Sequence, residues 1–139
     1  MNQKEINIAI AKDNGWYSIA EYSYYDCNGI DGIAPNTEIK EGFHPSFFRM
    51  DIPDYCNNLN VINEVIKNLS DGDSASSNPS HYPRWMFVSN LCKILGIKLF
   101  SEGQRVGSIN DLFIFATATA NQLCEAYLRT KKLWKEDNE

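Results

Sequence analysis

No stretch of about 18 apolar residues occurs in the 139-residue sequence, so no membrane-spanning helix is expected. The opening segment, MNQKEINIAIAKDNGW, holds no apolar run of signal-peptide length, and the expected compartment is therefore the cytoplasm. Cys27, Cys56, Cys92 and Cys124 are widely spaced and form no CxxC pair. They are expected to be reduced structural thiols, Cys92 and Cys124 on apolar helix faces, rather than two disulfides. Basic charge is also scarce. Thirteen Lys and Arg stand against eighteen Asp and Glu, for a net charge of −5. That balance argues against nucleic acid as a partner, because a phosphate backbone needs a basic face.

Catalytic signatures are equally thin. The chain has no Gly-rich phosphate loop, no GxSxG and no HExxH. Its two histidines, His44 and His81, have no Cys or carboxylate at a ligand spacing, so no metal and no cofactor are expected. Asp71-Gly72-Asp73 starts like a calcium loop, but Ala75 and Ser77 stand where further ligands are needed. Asp51 and Asp54 flank Pro53, and the more economical role for them is capping the helix that follows. Coiled-coil heptads and internal repeats are missing too.

What is present is a foldable pattern. Hydrophobic residues make up 43% and aromatic residues 12% of the chain, which is enough for a real core. Asn2 and Glu5 form a capping-box pair before the stripe Ile6, Ala9 and Ile10, and Asn14-Gly15 supplies a stop. Trp16 to Tyr25 is aromatic and β-branched, the signature of a strand. Residues 26–53 are expected to be an irregular, ordered excursion packed on the sheet, because Phe43, Phe47, Phe48 and Met50 are embedded among its glycines and prolines.

Leu59, Ile62, Val65, Ile66 and Leu69 repeat at helical spacing. Ser-rich residues 71–80 are expected to be a mobile loop. Pro83 suits the first turn of a third helix, with Val88, Leu91, Cys92 and Leu95 inward and Gly96 closing it. Ile97 to Phe100 and Asp111 to Phe115 read as short strands. Ala120, Leu123, Cys124, Tyr127 and Leu128 then mark the strongest helical stripe. The sum is one α+β domain over 1–139, a small mainly antiparallel sheet with about four helices, sandwich-like. Leu59, Ile62, Ile66, Leu91, Leu95, Leu123, Tyr127 and Leu128 are expected in its core.

The candidate site is the aromatic cluster: Trp16, Tyr24, Tyr25, Phe47, Phe48 and Arg49 combine large contact faces with a planar cation in segments that need not be core. Such a cluster suits a protein surface or a stacked, nucleotide-like small molecule. It also leaves a homo-oligomer open.

Several segments resemble those of a known family. These are Ile8-Ala9-Ile10-Ala11 running into Gly15-Trp16, Pro53-Asp54-Tyr55-Cys56-Asn57-Asn58-Leu59-Asn60, Ala116-Thr117-Ala118-Thr119-Ala120, Glu125 to Thr130, and Leu133-Trp134-Lys135-Glu136. In that order they resemble a family of small phage and prophage proteins similar to the phage α-β-α sandwich domain. The resemblance implies a phage-encoded accessory protein acting in the host cytoplasm, in counter-defence or host takeover, with no catalytic residues. A nucleotide-acting hydrolase around His44, Arg49, Asp51 and Asp54 is the enzymatic alternative, and a minor virion component the structural one.

Overall fold

The computed structural model describes residues 1–70, 72, 82–98, 100–101, 104–105 and 108–137. Asn2 caps α1 (Gln3–Asp13) by accepting from the Glu5 amide, and Glu5 accepts in return from the Asn2 amide. Gly15, at φ +90°, turns the chain out of the helix. It enters β1 (Tyr17–Tyr24), which pairs antiparallel with β2 (Cys27–Ile33), and β2 pairs in turn with the two-residue β3 (Met50–Asp51). A 3₁₀ turn, Pro45–Phe48, precedes β3.

The second half is mainly helical: α2 (Leu59–Lys67), α3 (Pro83–Leu95), the miniature hairpin β4 (Phe100–Ser101) and β5 (Gln104–Arg105), α4 (Ile109–Ala116) and α5 (Ala120–Thr130). Among the described residues, five helices and a three-stranded antiparallel sheet make this an α+β fold. No helix among the described residues is long and apolar enough to cross a membrane.

The core is built around α5. Its buried stripe, Leu123, Cys124, Ala126, Tyr127 and Leu128, packs against α1, α2 and α3. Ile6, Ile10, Ile62, Leu91 and Phe87 supply the facing surfaces. Two buried phenols join this core. Burial pushes the Tyr55 pKa up to about 12. Burial also raises Tyr127, whose hydroxyl donates to Asp13 and accepts from Asn14 Nδ2 at 3.3 Å, tying α5 to the end of α1. Beyond α5, Trp134 folds back on the core with the Arg129 guanidinium 5.1 Å from its ring centre.

Several expectations need correction. Asp111 to Phe115 is helix rather than strand, because Ser108 and Asp111 form a reciprocal capping box that starts α4. The excursion holds a regular strand, β2, and its large apolar groups are not packed away: Phe43, Phe47 and Met50 are exposed. Leu59 is 46% exposed, since it occupies the first position of α2 before the inward stripe begins. Ile66 and Leu95 are only half-buried, whereas Ile62, Leu91, Leu123, Tyr127 and Leu128 are buried. None of the four cysteines is in a disulfide, and Cys27 is exposed near the hairpin turn. Of the short strand expected over 97–100, Phe100 alone is in β4, Ile97 is buried outside it, and Leu99 lies outside the described residues. The loop expected to be mobile over 71–80, apart from Gly72, also lies outside them, as does His81.

Candidate functional site

The hairpin begins with an irregularity that its sequence explains. Tyr17 pairs with Ile33, yet Ala20 pairs with Asp31, so Ser18 and Ile19 together face the single residue Gly32. Ser18 takes φ +53°, a left-handed conformation that costs a non-glycine residue about 1–2 kcal/mol. Arg49 holds this bulge. Its Nη2 donates to the Ser18 carbonyl at 2.6 Å and its Nη1 to Ser18 Oγ at 3.0 Å. Nε and Nη2 also converge on Asp31 Oδ1 at 3.1 and 2.6 Å, and Nη2 approaches the Asp31 carbonyl at 3.3 Å. The Asp31 hydrogen bond raises the Arg49 pKa further. One guanidinium thereby ties β1, β2 and the entry to β3 together.

A second tie lies further along. The Tyr22 ring lies so close over Gly29 that a Cβ there would fall 2.4 Å from the phenol oxygen. Its hydroxyl reaches Asp51 Oδ1 at 2.8 Å, and donation to that carboxylate raises the Tyr22 pKa. Beside it, between the hairpin and α1, opens a polar cleft of about 680 Å³. The cleft's far wall carries Asn7 and Asp54, whose carboxylate accepts from Asn7 Nδ2 at 3.1 Å and from Asn57 Nδ2 at 3.0 Å. Lys4 and Glu21 close one end with a 2.6 Å ion pair. The sequence reading missed this cleft. Its signal, the polar side of α1 facing the amides after Pro53, depends on which elements meet.

The six candidate residues do not share one pocket. Trp16 is half-buried against the helical core. Tyr24 and Tyr25 sit at the hairpin turn in edge-to-face contact, with centroids 4.6 Å apart and Tyr25 88% exposed. Phe47 is 76% exposed and meets Phe43 edge-on at 6.4 Å, while Phe48 is half-buried. Arg49 spends its donors inside the fold. From Asp31, where Arg49 is anchored, to Cys27 beside the turn is four residues, about 13 Å of strand.

Two aromatic pairs therefore stand at separate places on the hairpin and its loop. Tyr17, Ile39 and Met50 are also exposed in these segments. Singly such groups are ordinary, but so many large ones in one part of a chain suit macromolecular contact better than a stacked ring.

Acid–base candidates are dispersed in the same way. His44 Nδ1 caps the 3₁₀ turn by accepting from the Ser46 amide at 3.2 Å. Asp51 holds Tyr22, Asp54 holds two amides, and Arg49 holds Asp31, so the four groups of the hydrolase alternative each serve a different structural partner. Among the described residues no group of three His, Cys, Asp or Glu side chains is placed to hold a metal ion. Comparison with known proteins yields no matching family model, no matching curated protein and no matching solved structure.

Proposed function

We propose that this chain is a non-catalytic binding protein that engages a protein partner through the exposed aromatic groups of the hairpin and the loop leading to β3. The observation that carries this reading is the exposure of Tyr24, Tyr25, Phe43, Phe47 and Met50 on a segment braced by Arg49. Rigid aromatics offer large contact area at low entropic cost, and bracing the segment beforehand reduces the ordering that binding must otherwise supply. The resemblance to small phage proteins supports a phage-encoded accessory role, with a bacterial host protein as the partner, in counter-defence or host takeover.

The test compares Tyr25→Ala and Phe47→Ala with the double variant Lys131→Ala/Lys132→Ala for capture of a defined partner from host lysate, followed by titration of that partner. Because these side chains are exposed, circular dichroism should show all variants folded. Either aromatic variant should weaken the purified complex by roughly 30-fold, the size of a hot-spot loss of about 2 kcal/mol. Full binding by both aromatic variants, with loss confined to the lysine variant, would move the interface to α5.

A further inference from the structure

The fourth helix is apolar and yet covers almost nothing. Ile109, Leu112, Phe113, Ile114 and Phe115 are five of its eight residues, and no residue of α4 is buried. Ile109 is 87% exposed, Phe113 66% and Leu112 37%. These three follow i, i+3 and i+4 spacing, so they form one stripe on the outer side of a helix that packs along α3. A helix of eight residues is not stable alone in water and depends on burying an apolar face.

Next to that stripe lies an apolar groove. It has a volume of about 670 Å³ and is walled by Ile66 and Leu69 from the α2 segment, Phe87 and Val88 from α3, and Phe115 from α4 itself. Phe115 is the link: the last turn of the helix that carries the stripe is also one wall of the groove.

We infer that α4 and the α2/α3 groove form a self-complementary interface, in which two copies of this chain pair about a two-fold axis and each lays the Ile109–Leu112–Phe113 stripe into the groove of the other. Helix anchors at i, i+3 and i+4 are the form an apolar groove between helices accepts. A two-fold interface needs its knob and its hole close together on the molecule, and Phe115, an i+3 neighbour of Leu112, sets one wall of the groove beside the edge of the stripe.

Charge also favours a second copy here. The chain carries −5 overall and repels itself in general. On this face, however, Glu64 and Lys67 at the groove rim pair at 2.7 Å, Arg84, whose Nε donates to the Leu69 carbonyl, adds a further cation to the lining, and the Asp111 carboxylate is turned to the Ser108 amide. Two acidic chains meet with least repulsion across such a surface.

The stripe exposes roughly 400 Å². With the groove walls, each copy would bury about 600 Å², somewhat below the ~800 Å² per partner of a standard interface. The dimer is accordingly weak, with a dissociation constant on the order of 10 μM.

Sedimentation equilibrium of the full chain from 1 to 200 μM tests this, together with hydrogen exchange of the same samples at the two extremes. The wild type should move from monomer to dimer and stop there. Exchange should slow with concentration in α4 and in α2 and α3, and remain unchanged in the β1–β2 hairpin. Phe113→Asp, at an exposed position, and Asn63→Trp, which fills the groove from its rim, should each stay folded by circular dichroism and weaken the dimer at least 30-fold. A monomer at every concentration overturns the inference. So does a dimer indifferent to Phe113→Asp, protection confined to the hairpin, or growth past the dimer, which would mean a head-to-tail contact.

Discussion

Replacing Arg49 separates the bracing of the aromatic segment from the stability of the whole fold. In Arg49→Ala the Ser18 carbonyl and hydroxyl, the Asp31 carboxylate and the Asp31 carbonyl all lose their guanidinium donors. Hydrogen bonds to a charged group are worth about 1.5–3 kcal/mol each when desolvated. Arg49 and Asp31 retain 22% and 23% side-chain exposure, so water recovers part of that. A net loss of about 2 kcal/mol is expected, and it should be largely local because Arg49, Ser18 and Asp31 are not members of the buried core cluster.

Hydrogen exchange read by mass spectrometry should then show residues 17–20 and 45–52 opening roughly 30-fold more often, with α5 amides unchanged. Arg49→Lys should fall nearer to Ala than to wild type, since one ammonium cannot bridge Ser18 and Asp31 in the same planar fork. Equal acceleration throughout the chain, or none near Ser18, would refute the clamp as a local brace.

Leu128→Ala should destabilise the domain by about 3 kcal/mol, because the side chain is fully buried and its cavity opens onto α1, α2 and α3. Thermal unfolding should fall by about 10 °C, whereas Leu59→Ala, at a 46% exposed position, should change it by about 3 °C or less. Tyr55 sets an alkaline limit. Its folded pKa of about 12 lies above the ordinary value of 10.0, so its contribution is complete below pH 10 and is lost as pH rises towards 12. The unfolding free energy from denaturant titration should lose about 1.4 kcal/mol per pH unit from Tyr55 across that window, beside a further loss from the raised Tyr127. Tyr55→Phe should make the slope shallower by its share; an unchanged slope would count against burial of the Tyr55 phenol.

Much of the helical half is legible from short-range chemistry. Asn2 and Glu5, Pro83 and Gly96, and the Ala120–Leu128 stripe all act within one or two helical turns of the residues they organise. The strand read over Asp111 to Phe115 fails for a definable reason. A short apolar run has no usable period, and the deciding signal is the Ser108–Asp111 box just before it. β2 is obscured by Gly29 and Gly32, which weaken strand propensity but are needed beneath the Tyr22 ring and opposite the Ser18 bulge.

Tyr24, Tyr25 and Phe47 are legible as aromatic groups in segments that need not be core, but their division between the hairpin turn and the β3 loop is not, nor is the half-burial of Trp16 and Phe48. Arg49 illustrates why. Its partners lie 18 and 31 positions away, so no local pattern distinguishes a brace from a ligand-binding cation.

The central position of α5 has a consequence for synthesis. Every helix facing its buried stripe, α1, α2 and α3, is translated before α5 exists. Until then Ile6, Ile10, Ile62 and Leu91 have no Leu123 or Leu128 to cover them. A nascent chain arrested before Ala120 should therefore remain open on the ribosome, exposed to chaperones and proteases, and complete its packing only once α5 has emerged. A premature stop before Ala120 would leave an unfolded chain rather than a shortened working domain, so protection from proteolysis should appear abruptly, with α5, in a series of stalled chains of increasing length.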